Sequence, residues 1–147
     1  MVITANWSLF VSNTYNVELQ APPTIVREVF VQLENSSGVE LYTTTFALTN
    51  GYWDPSAPNG VPIQGAPITP GQTATWGNYT STPFTGVSGS MTFNTAGAGT
   101  ITASWLWPYG SPPRVSASAT GTRLKVANSL GNVGSSQVTA IFTVTGS

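Results

Sequence analysis

Apolar and polar residues alternate along most of this chain. Val29, Val31 and Leu33 fall on one side of an extended segment, with Glu28 and Glu34 on the other. An earlier series runs through Tyr15, Val17 and Leu19, and a later one opens at Val39 and Leu41 and runs toward Phe46. Met91 and Phe93 alternate, as do Ile101, Ala103, Trp105 and Trp107. Val115, Ala117 and Ala119 follow, and Leu124 and Val126 face away from Arg123 and Lys125. Val138, Ala140, Phe142 and Val144 form the last series. A period of two is the mark of a strand with one buried face.

Turn residues punctuate these series at Asn35-Ser36-Ser37-Gly38, Thr69-Pro70-Gly71-Gln72, Ala96-Gly97-Ala98-Gly99 and Ser129-Leu130-Gly131-Asn132. The pattern predicts a single all-β domain over residues 1–147, an antiparallel β-sandwich of about eight to ten strands. Residues 1–26 are expected to add a strand or hairpin. Gly51 to Pro67 carries Pro55, Pro58, Pro62 and Pro67 and is expected to be a long exposed loop, because proline cannot donate to a central ladder. The length suits one domain.

Charge changes the picture. Only 6% of the 147 residues are charged, against about 25% in an ordinary soluble domain. No charged residue occurs from Pro55 to Pro113, and the net charge is −1, which argues against nucleic acid as a partner. The chain has no histidine and no cysteine, which removes disulfides, zinc ligation and most general-base schemes. Glu28 and Glu34 stand about 20 Å apart along one strand, too far to share a glycosidic bond. No Gly-x-Ser-x-Gly elbow occurs. Asp54, alone among prolines, reads as a turn former rather than a calcium ligand. The protein is therefore expected not to be an enzyme and to need no cofactor or metal. Three glycosylation sequons start at Asn6, Asn35 and Asn78, a chance-level number in a chain this rich in Asn, Ser and Thr.

The most informative segment is Ser104-Trp105-Leu106-Trp107-Pro108-Tyr109-Gly110-Ser111. Trp105 reads as core, since aromatics on alternating strand positions usually pack inside. Trp107, Pro108, Tyr109, Tyr52, Trp53, Trp76 and Tyr79 are the candidate ligand-binding residues. If they meet at one end of the sandwich, they form an aromatic rim in uncharged surroundings, suited to the water–lipid interface or to stacking on sugars.

The order of the turns resembles the superfamily that holds aegerolysins and actinoporin-like cytolysins. The matching motifs are Val31-Gln32-Leu33-Glu34-Asn35-Ser36-Ser37-Gly38, Ile68-Thr69-Pro70-Gly71, Gly86-Val87-Ser88-Gly89-Ser90-Met91-Thr92-Phe93, and Trp107-Pro108-Tyr109-Gly110-Ser111, before a closing strand from Val138 to Val144. The resemblance implies a sandwich that contacts lipid headgroups and associates with bilayers, sometimes with a larger pore-forming partner. It places Pro108 and Tyr109 in the lipid-contacting turn. The first 25 residues, with Trp7, Leu9, Phe10 and Val11, read as β rather than as an amphipathic helix, so a pore built from an N-terminal helix is not expected.

Three functions fit. The leading one is a membrane-lipid-binding, cytolytic or toxin-like module that acts outside the cell, although Met1-Val2-Ile3-Thr4 opens no recognisable signal peptide. The others are a glycan-binding lectin of the related fungal type and a self-associating structural or adhesion domain of a fibre or particle.

Overall fold

The computed structural model describes residues 24–146. The expected N-terminal strand or hairpin, with Tyr15, Val17 and Leu19, lies outside the described residues, apart from the short approach to the first strand. Ten strands follow: β1 (Arg27–Ser36), β2 (Leu41–Asn50), β3 (Tyr52–Trp53), β4 (Pro67–Ile68), β5 (Thr73–Thr80), β6 (Val87–Thr95), β7 (Gly99–Trp107), β8 (Arg114–Ala119), β9 (Leu124–Gly131) and β10 (Gln137–Gly146). They form two five-stranded sheets, one ordered β3-β5-β1-β10-β9 and the other β4-β2-β6-β7-β8. The protein is the β-sandwich that the alternation predicts.

All neighbouring strands but one pair run antiparallel. β1 and β10 pair in parallel, with Val29 beside Val138 and Leu33 beside Phe142. These strands are the first and last of the described chain, so no hairpin dictates their relative direction. Parallel pairing sets their matched apolar series side by side on the inner face.

Most of the core lies where the alternation places it, although Val39 is exposed and Val115, Ala117, Ala119 and Val126 are only half-buried. Val29, Val31, Leu33, Met91, Phe93, Ile101, Ala103, Trp105, Val138, Ala140, Phe142 and Val144 are all buried. Burying a side chain of this size is worth about 1.5–3 kcal/mol. Leu106 faces outward.

One polar clasp crosses this core. The indole Nε1–H of Trp105 on β7 donates to Asn78 Oδ1 on β5, at 2.8 Å. The amide of Asn78 in turn donates to Asn50 O, at the end of β2, at 3.1 Å. Gly51 follows at φ 90°, and a Cβ there would meet Asn78 Nδ2 and Tyr79 O at 2.6 Å. Glycine thus lets the β2–β3 turn close over the clasp. Asn35 is equally committed: its amide donates to Val39 O and Ile68 O, each at 2.8 Å. Two of the three sequon asparagines are therefore buried structural groups, and Asn6 lies outside the described residues.

The segment 51–67 is a largely exposed loop, as expected, but it is held along the sheet edges. Tyr52 and Trp53 pair with Tyr79 and Asn78, and Pro67 and Ile68 pair with β2, so short edge strands bound it. Between them Asp54, Ala57 and Pro62 are buried. Asp54 N donates to Gly77 O at 2.8 Å and Asn59 N to Thr75 O at 2.9 Å, which holds the segment along the edge of β5. The prolines confine it to sheet edges without detaching it.

Replacing Asn78 by Ala is expected to destabilise the fold by about 2–4 kcal/mol, because it strands a buried indole N–H and opens a small void. Trp105→Phe, which strands Asn78 Oδ1, should cost about 1–3 kcal/mol. Urea denaturation followed by circular dichroism measures both, and wild-type midpoints would remove the clasp from the account.

Candidate functional site

The register brings one set of strand ends together. Arg27 lies beside Thr80, Asn50 beside Ser88, Val87 beside Trp107, Leu106 beside Arg114, and Thr139 beside Gly131. The β5–β6 and β7–β8 loops therefore rise from the same pole. Each carries an aromatic residue between a proline and a glycine: Pro83-Phe84-Thr85-Gly86 and Pro108-Tyr109-Gly110.

Phe84 is 74% exposed and Tyr109 is 54% exposed. Their rings meet edge-on, 5.2 Å between centroids at 80°. Phe84 sits at φ 64°, a backbone region that a bulky residue occupies only at a cost. Threonines hold it there. Thr80 and Thr85 share a hydroxyl bond of 2.9 Å, and Thr85 Oγ1 donates to Thr82 O at 2.7 Å. Arg27 completes the brace, with Nη1 donating to Thr85 O at 2.8 Å.

The guanidinium of Arg27 lies between two rings, 4.8 Å from the Trp107 centroid and 5.8 Å from that of Tyr109. Cation–π attraction of this kind is worth about 0.5–2 kcal/mol, more as the cation is desolvated. Trp107 is buried, so at this pole it acts as the platform under Arg27. Arg114 stands exposed at the start of β8.

The candidate aromatics divide. Pro108 and Tyr109 occupy the pole. Tyr52 and Tyr79 lie beside it on the outer face of their sheet, rings 6.0 Å apart. Trp53 is half-buried behind them, edge-on to Phe46 and Trp105. Trp76 does not join the group: it is buried and stacks on Phe93 at 5.9 Å, because β5 turns Ala74, Trp76 and Asn78 inward. Phe84, Arg27 and Arg114 complete the pole although sequence reasoning passed them over. The available signal for Phe84 was its Pro-aromatic-x-Gly setting, which parallels that of Tyr109.

Two carboxyls flank the pole on the outer face of the β1–β5 pair. Glu28 and Asp54 are both buried and lie against Gly77, where a Cβ would collide with the Glu28 carboxyl. Asp54 Oδ1 accepts from the backbone N–H and hydroxyl of Ser56, the turn-forming role its setting predicts. Burial, the hydrogen bond to Asp54 and its charge push Glu28 up to about 8. Burial also raises Asp54, but the hydrogen bonds from Glu28 and Ser56 outweigh it and hold the group below its usual value. Of the two, Glu28 is the carboxyl that holds a proton more readily and Asp54 the one that favours its charge. Among the described residues no three His, Cys, Asp or Glu side chains gather to hold a metal.

No family model matches the chain, and no curated protein matches its sequence. Its fold does match solved structures. IP-1A from Alcaligenes faecalis aligns at a TM-score of 0.64 and 12% identity, over 84% of this chain and 93% of that one. RahU, solved with a TRIS molecule, aligns at 0.61 and 14%, over 83% and 95%. Nakanori, a lipid-binding protein, aligns at 0.65 and 14%, over 84% and 72%. At these identities the likeness establishes a shared fold.

The carboxyl pair makes stability depend on pH. Glu28 holds its proton more tightly folded than at its ordinary value of 4.5, so its contribution is complete below about 4.5 and is lost as pH rises through about 8. Asp54 acts in the opposite sense, only at pH near and below its ordinary 3.8. The melting temperature is expected to fall between pH 5 and pH 9 by an amount equivalent to on the order of 2 kcal/mol. Glu28→Gln should flatten that slope. Melts across this range that stay level in wild type would refute the shared proton.

Proposed function

We propose that the chain is a membrane-lipid-binding protein of the aegerolysin type that docks through its aromatic pole and acts by binding rather than catalysis. The observation that carries this reading is Phe84, an exposed ring in a strained backbone conformation, braced beside Tyr109 and Arg27 at a pole with no exposed carboxylate among the described residues. A side chain held outward at a conformational cost is one whose burial belongs to a complex. Phenylalanine gains from the acyl region and tyrosine from the interface, where its hydroxyl stays wet. Arg27 and Arg114, at the same pole as the rings, supply positive charge for lipid phosphates. The shared fold with Nakanori, a lipid-binding protein, supports the reading. So does the run of loops without charge, which lowers the cost of approaching a bilayer. Such a protein acts on the outer surface of a target cell, and lysis would require a further event such as recruitment of a pore-forming partner.

Vesicle co-sedimentation tests this. Wild-type protein is expected to pellet with at least one of a set of sphingolipid, sterol and phosphoinositide vesicles. Phe84→Ala and Tyr109→Ala should each weaken binding about tenfold, the effect of losing roughly 1.4 kcal/mol of inserted ring. Arg114→Ala should weaken binding to anionic vesicles about fivefold. Val39→Ala, an exposed apolar change at the opposite end, should bind as wild type. A protein that pellets with none of the vesicles, or whose pole variants match wild type, would rule the reading out.

A further inference from the structure

At the end of the sandwich away from the aromatic pole, a cleft of about 160 Å³ opens between the two sheets. Trp76, Ala74 and Ile68 form its floor, and Val61 and Ile63 its exposed rim. The segment 59–66 closes it from above and is fixed at both ends. Thr43 N donates to Ala66 O at 3.1 Å and Gly65 N to Thr43 O at 2.7 Å, which attaches it to β2. Thr75 N donates to Asn59 Oδ1 at 2.7 Å, which attaches it to β5. The cavity is thus formed by the fold before anything enters it.

Its one deep polar group is out of place. Thr43 is 1% exposed, lines the cleft, and its hydroxyl has no hydrogen-bond partner among the described residues. A buried hydroxyl without a partner lowers stability, and valine would fill the same space without that cost. The ladder between β2 and β6 also slips between Thr43 and Thr45, an irregularity of the kind that re-aims side chains beside binding sites. Two further polar groups reach the rim. Asn59 and Gln72 use their carbonyl oxygens on Thr75 N and Thr69 N, so what they can offer an occupant is an amide NH₂ donor. Among the described residues no charged side chain lines the cleft.

We propose that this cleft is a second binding site, independent of the aromatic pole, for a small neutral ring compound that carries one hydroxyl. The volume suits a single ring, since an apolar cavity of about 150 Å³ accepts benzene. The apolar walls take the ring, and the absence of charge in the lining excludes an ion. Thr43 hydrogen-bonds the ligand oxygen at depth, and Asn59 and Gln72 border the other end of the ring at the rim.

Titration of the ¹⁵N-labelled full chain with p-cresol and with toluene tests the site. The two ligands share a body and differ in the hydroxyl. p-Cresol is expected to shift the Thr43 and Gln72 amides and the Trp76 indole N–H, with a Kd of roughly 0.1–1 mM, as suits a ligand of this size. Toluene should bind at least about fivefold more weakly. Thr43→Val should bring p-cresol down to the toluene level, leave toluene unchanged, and melt no lower than wild type. Phe84→Ala should titrate as wild type. The site is overturned if those three signals stay still up to about 5 mM ligand, well above the expected Kd. Equal binding of the two ligands in wild type, or a Thr43→Val protein that keeps the p-cresol preference, overturns it as well.

Discussion

The molecule is organised around the bond between the Trp105 indole and the Asn78 amide. Apolar contact alone is tolerant of sliding, because many packings of two sheets bury similar area. A hydrogen bond made inside the core is not, because losing it leaves two buried polar groups without partners. Asn78 therefore sets β5 against β7, and through Asn50 O it sets the end of β2 as well. The strand ends that carry the exposed rings belong to these strands or to their immediate neighbours. The aromatic pole is a consequence of that alignment.

The same end of the sheet holds the Glu28–Asp54 pair, and the two features share a segment. Tyr52, Trp53 and Asp54 are consecutive: Tyr52 faces the outer surface, Trp53 packs inward on Phe46 and Trp105, and Asp54 turns back over Gly77. A shared proton in place of two charges lets this strap lie flat on the sheet without a cation beside it. The pair then carries one negative charge, on the buried Asp54, beside the two arginines of the pole. Glu34, Glu40, Arg123 and Lys125 stand toward the other end of the sandwich.

The two ends thus differ in kind. One presents rings outward on braced loops over a cation and suits an extended apolar surface bordered by phosphate. The other encloses a small neutral cleft under a strap pinned to both sheets. A strained Phe84 at one end and an idle Thr43 hydroxyl at the other are both local costs that a sequence selected for stability alone would shed.

The sequence by itself determined the architecture. Period-two alternation named most of the inward-facing core residues, because a strand can bury only one face, but it missed Ala74 and Trp76 of β5 and Val87 of β6. Asp54 as a turn former and Trp105 as core were legible for similarly local reasons. The turn grammar of Pro108-Tyr109-Gly110 was enough to place an aromatic residue outside. What lay beyond the sequence was every relation across strands. Trp76 and Trp107 both read as site candidates in isolation, yet both are buried, Trp76 against Phe93 with its edge on the cleft and Trp107 beneath Arg27. Arg27 and Thr85 are 58 positions apart and meet only because β1 pairs with β5. Glu28 finds its partner in Asp54 rather than Glu34 because a strand separates same-face residues along its length, while folding joins distant ones across it. Alternation is a local property that a chain carries with it, and proximity is made only when the sheets close.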